Sequence, residues 1–194
     1  MTDPDEPPGL AETLLGTLAR PAATFRGLAG ARARDGAAAI ALLGIFWGLF
    51  SFLLWSSGRS PHAVLLPIPL RDYYLVQGLV MLPVLTGLYW IYSELAYRLA
   101  GARGPEPGVR AALGYAYALP MLVHVGLESA VYLLVGFESL ALVAALSLPL
   151  ASLWVWALSA RALRELSGAS WPRAIGAAFA GLFVQAAAGA LVLR

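Results

Sequence analysis

The chain has 194 residues, of which 60% are hydrophobic and only 12% charged, with a formal net charge of +2. A soluble domain carries about twice that share of charge, so this composition excludes an ordinary water-exposed surface. It contains no cysteine, which excludes disulfides, thiolate nucleophiles and cysteine-ligated metals.

The chain opens on MTDPDEPPG, acidic and rich in proline (Pro4, Pro7, Pro8), and residues 1–9 read as a disordered tail. It lacks the basic start and cleavage site of a secretory signal peptide. From Leu10 to about Arg34, Leu14, Leu18, Phe25 and Leu28 recur near helical spacing, with Arg20, Arg26, Arg32 and Arg34 between them. Pro21 either divides this stretch into two short helices or serves as the first residue of the second. Two readings stand side by side. Residues 10–35 form an amphipathic juxtamembrane segment whose arginines meet anionic headgroups, or a short helix packed on the bundle.

Five hydrophobic spans follow, at about 37–57, 73–100, 114–135, 140–163 and 171–193. Each reaches the roughly 20 residues needed to cross about 30 Å of hydrocarbon. The expected fold is therefore all-α: a polytopic bundle of five transmembrane helices over residues 36–194. All thirteen basic residues are arginine. With the N-terminus in the cytoplasm, ten arginines lie inside, in three clusters around residues 20–34, 98–110 and 161–173, against Arg59, Arg71 and Arg194 outside. The positive-inside rule then predicts N-in and C-out. No loop is long enough for a soluble domain, and the longest, Gly58 to Asp72, lies outside.

Gly44 and Gly48 form a GxxxG in the first span, and Ala177 and Gly181 a similar pair in the fifth. Such small-residue pairs serve packing within the chain or formation of a homodimer. Pro83, Pro120 and Pro149 lie inside the second, third and fourth spans, as ordinary membrane prolines or as breaks lining a site.

The third span concentrates the polar chemistry. His124 and Glu128 are four residues apart and share a helix face, roughly with Tyr117 and Tyr132. With Tyr117 and Pro120 they form the candidate intramembrane site. Either they respond to protons or hold a solute, or they bond to each other and to neighbouring helices and fix packing. Glu94 and Arg98 read as an i, i+4 surface pair. Gln77 and Gln185 read as glue between helices. No metal site is expected, because the only other histidine, His62, lies in an outer loop. There is no G-x-S-x-G, H-E-x-x-H or P-loop, no intramembrane pair of aspartates, and no basic aromatic surface for nucleic acid. The chain reads as a non-enzyme without cofactors.

An ordered set of motifs resembles the Yip family of Rab-interacting membrane proteins and their bacterial relatives, over residues 13–193. LARPAATFRGL (Leu18 to Leu28) is similar to the P-x-x-x-F lead-in of bacterial members. Gly114, Tyr115 and Pro120, in GYAYALP, resemble the GY-x-x-x-P opening of the third span. The basic loop ALRELSGASWPRAIG (Ala162 to Gly176) joins the last two spans in the family manner. The DLYGP signature of eukaryotic members is absent, which sets aside a Rab-type partner. The resemblance implies a location in the bacterial inner membrane and a role in organising partner proteins or lipid. A small-solute or proton-coupled transporter using His124 and Glu128 is the alternative expectation.

Overall fold

The computed structural model describes residues 9–61, 67–101 and 103–193. The disordered tail expected before Gly9 and the loop histidine His62 fall outside the described residues. The described chain is all-helical, with no strand. Two short helices, α1 (Leu10–Ala19) and α2 (Pro21–Gly27), precede five long ones: α3 (Ala33–Ser56), α4 (Tyr73–Ala100), α5 (Glu106–Leu134), α6 (Leu140–Ser167) and α7 (Trp171–Leu193). Four helical stretches among the described residues are long and apolar enough to cross a membrane: Ala33–Ser56, Leu70–Ala100, Glu106–Leu134 and Phe137–Ser167.

Local chemistry sets the ends of these helices. Pro21 is the first residue of α2, where a missing N–H costs nothing. The Asp35 carboxylate reaches back to the Arg32 backbone N–H at 2.9 Å and closes the start of α3. Gly101 and Gly168, at φ of +58° and +67°, supply the left-handed turns that end α4 and α6. The fifth long helix and the second share their bounds with the hydrophobic spans. The third begins eight residues earlier than its span, because Glu106 and Arg110 pair one turn apart and carry the helix through the polar stretch. Pro83, Pro120 and Pro149 lie inside continuous helices, as ordinary membrane prolines do.

Consecutive long helices run up and down. Around the bundle the order is α3, α4, α7, α6, α5 and back to α3, and the thinnest seam is between α6 and α7. Small residues bring the backbones together. A Cβ on Gly114 would lie 2.6 Å from the Gly36 Cα, so α3 and α5 touch where neither has a side chain. Gly44 and Gly48 face Leu82 and Gly78 of α4, which makes this GxxxG a contact within the chain. Leucines such as Leu79, Leu133, Leu142, Leu146 and Leu150 cover the outside, each more than 60% exposed. Such a surface suits hydrocarbon, where apolar exposure has no cost, and would aggregate in water.

The N-terminal helices lie across one end of the bundle, against α5 and α6. Phe25 is fully buried there and Leu28 nearly so, so Phe25 turns inward rather than toward lipid. α1 buries Thr13 and Thr17 and packs Leu10 and Leu14 against the core, while Glu12, Leu15 and Leu18 stay exposed.

Candidate functional site

Three polar regions stand out. The first is the arginine end, where α1, α2, the starts of α3, α5 and α7, and the finishes of α4 and α6 converge. Arg110 is only 13% exposed and bonds both Glu94 and Glu106, while its guanidinium lies 5.6 Å from the Trp90 ring centre. Arg98 closes on Glu94 from the same helix. Glu165 accepts Arg161 at 2.9 Å and Arg26 at 3.4 Å, which ties α2 to α6. Arg173 donates to the Leu99 carbonyl at 3.0 Å and ties α7 to α4. Arg20, Arg32 and Arg34 are exposed, and among the described residues their side chains make no ion pair.

The Gly114, Tyr115, Pro120 motif serves this end. Gly114 admits α3, and the Tyr115 hydroxyl bonds Thr13 of α1. Gly108, one and a half turns earlier, leaves room for the backbone at Leu28 and Ala29. Pro120 is buried in the middle of α5. The motif is thus where the N-terminal arm is fastened to the bundle.

The second region is the His124 cluster. His124 is 4% exposed, with its Nδ1 2.8 Å from the Ser147 hydroxyl of α6. Its Nε2 lies 3.7 Å from Glu128, and its ring meets Trp47 of α3 edge-on at 6.2 Å. Ser147 also donates to the Val143 carbonyl at 2.7 Å, which leaves its oxygen to accept an Nδ1–H. Glu128 faces Tyr74 of α4. Side chains of α3, α5 and α6 thus close around the histidine. Tyr117 and Tyr132 point elsewhere: Tyr132 packs on Phe50, and Tyr117 on Tyr92.

The third region was not singled out from sequence. A cleft of ≈ 930 Å³ opens between α4, α5, α6 and α7. Tyr117, Met121, Trp47, Trp156, Phe183 and Gln185 are among its walls, and none of its lining residues is charged. Below it Tyr92, fully buried and bonded to Ser159, plugs the bundle. Gln77 and Gln185 both line the cleft but differ. Gln77 accepts from Ser51 of α3 at 2.9 Å and donates to Tyr73 at 3.2 Å, as helix glue does. Gln185 is 4% exposed, and neither its amide nitrogen nor its oxygen bonds any described residue. The Tyr117 hydroxyl interacts with this amide, at a geometry too poor to satisfy either of its polar atoms. A single glutamine in an apolar span was the only sequence signal, and Gln77 carried the same one.

No group of three or more metal-ligating side chains occurs among the described residues. No protein-family model, curated protein or solved structure matches the chain. The Yip resemblance therefore rests on the motifs themselves.

Proposed function

We propose that this is a non-enzymatic, five-span membrane protein of the Yip type. In this reading it lies N-in and C-out in a bacterial inner membrane and gathers acidic partners or anionic lipid on its arginine-rich face. The observation that carries the proposal is that Arg20, Arg32 and Arg34 are exposed and that, among the described residues, no carboxylate pairs with their side chains. Arg20 stands between the two arm helices, and Arg32 and Arg34 at the start of α3, beside an arm anchored by buried Phe25 and by the Arg26–Glu165 pair. Unneutralised arginines at a surface attract anionic headgroups and acidic partners. In this topology ten arginines stand at that end against eight acids (Asp3, Asp5, Glu6, Glu12, Asp35, Glu94, Glu106 and Glu165), leaving a small excess of positive charge.

The fifth span in this reading is α7. Its 23 residues rise about 34 Å at 1.5 Å each, enough to cross the hydrocarbon. Proton-coupled transport through His124 and Glu128 gains no support from their packing, since they need an open path and lie behind Trp47.

Two measurements test the proposal. Alkaline phosphatase fused after Arg194 is active only outside the cytoplasm, and a fluorescent protein before Met1 only inside. Activity of both supports five spans, and silence of the phosphatase overturns that count. Replacing Arg20, Arg32 and Arg34 together by Ala should cut phosphatidylglycerol retained by the purified protein, read by native mass spectrometry, to less than about half, since each surface arginine contributes about 1 kcal/mol toward anionic headgroups. Unchanged retention, with unchanged recovery of acidic partners, overturns the arginine-face reading.

A further inference from the structure

The cleft between α4, α5, α6 and α7 holds an unexplained cost. Burying an amide without well-formed hydrogen bonds is unfavourable, and among the described residues neither polar atom of Gln185 has a partner in hydrogen-bond geometry, the Tyr117 hydroxyl being only loosely placed beside it. The cost disappears if something that enters the cleft supplies the missing partners. A ligand must then present an acceptor to the Gln185 nitrogen and a donor to its oxygen, close together. A hydroxyl beside an ester carbonyl does both.

The walls narrow the choice further. No lining side chain is charged, so a charged headgroup would be desolvated with nothing to balance it. The remaining surface is mainly aromatic and aliphatic, with Trp156, Phe179 and Phe183 in a row along one side. At ≈ 930 Å³ the cleft is near the upper end of small-molecule sites, roomy enough for a long chain. Access is also visible. The α6–α7 seam is the thinnest in the bundle, and Leu153, Phe179 and Phe183 beside it are each more than half exposed on the lipid-facing side. A molecule dissolved in the bilayer can enter sideways there, while Tyr92 and Ser159 seal the arginine end.

We propose that this cleft is a binding site for an uncharged lipid of the monoacylglycerol class, with the Gln185 amide bonding its hydroxyl-and-ester headgroup, Tyr117 beside it, and its chain lying along the aromatic row. The site is independent of the arginine face. It shares no residue with it and takes a neutral ligand rather than an anionic one.

The test uses the full chain in phosphatidylcholine vesicles with a monoacylglycerol carrying a photoreactive diazirine in mid-chain. After illumination, mass spectrometry maps the labelled peptides. Labelling should concentrate on residues 148–156 and 179–189 and saturate at a few mole per cent. Unlabelled 1-monooleoylglycerol should compete, and oleate, with its charged headgroup, should not. Gln185→Leu should weaken labelling about tenfold, the effect of one lost buried polar contact of about 1.4 kcal/mol. Its melting temperature in detergent should hold or rise, because two orphaned polar atoms are gone. Labelling that never saturates, that spreads evenly over the lipid-facing leucines, that oleate displaces equally, or that Gln185→Leu leaves unchanged overturns the proposal. If Gln185→Leu does not fold, Tyr117→Phe decides by the same labelling criterion, with about threefold weakening expected and no change overturning it.

Discussion

The two sides of α5 treat polar groups in opposite ways. On the side facing α3 and α6, His124 finds Ser147 and Glu128 and meets Trp47 edge-on. On the side facing α4 and α7, Tyr117 of α5 meets the Gln185 amide of α7, whose polar atoms have no partner in hydrogen-bond geometry among the described residues and lie beside a large cleft. The more conspicuous residue has its partners in the protein, and the blander residue lines the cleft. Ionisability alone does not locate a site in a membrane bundle; satisfaction of hydrogen bonds discriminates better.

That contrast can be broken at several points. The largest effect is expected at the backbone contact that holds the packed side together. Gly114→Leu drives a side chain into Gly36 and should cost about 3 kcal/mol or more, seen as loss of monodisperse protein in size-exclusion chromatography. Gly87→Ala, where nothing lies within 4 Å, should instead be neutral or gain up to about 1 kcal/mol. Next is His124→Ala, which empties a buried position and leaves Ser147 without its ring partner, at about 2 kcal/mol by unfolding in detergent. If that variant melts like the parent, the packed side is not a packing device. Gln185→Leu should move stability the other way, by about +1 kcal/mol, and a clear loss would mean that the amide is bonded after all. The smallest effect belongs to the exposed end. Arg26→Ala removes a pair whose arginine is 66% exposed and should shift stability by less than about 1 kcal/mol, fading in high salt.

The helices were largely legible in the residues. The span expected at 73–100 is α4 and that at 171–193 is α7, because hydrophobic length and left-handed or proline-bearing ends fix such boundaries with little help from tertiary structure. Pro21 announced its helix start. The start of α5 was hidden, since GARGPEPGVR looks like a loop until Glu106 and Arg110 close on each other and on Glu94. The apolar pattern of the N-terminal arm was legible for the most part: Leu14, Phe25 and Leu28 pack against the bundle, and only Leu18 of that series stays outside. The burial of Thr13 and Thr17 was not, because their partners come from the helix's own backbone and from α5. The candidate His124–Glu128 pair was legible as a neighbouring pair, but its partners Ser147 and Trp47 come from other helices and leave no trace in local spacing. Gln185 was indistinguishable from Gln77 for the same reason.

The fastening of the N-terminal arm also sets an order of assembly. The arm leaves the ribosome before the long helices, yet it rests on α5 and α6, which are synthesised much later. Until the fourth long helix is in place, the arm has nowhere to dock and its buried aromatic is uncovered. A protease that cuts near Arg20 in stalled or misassembled chains, and spares finished ones, would read out completion of the bundle from its opposite end.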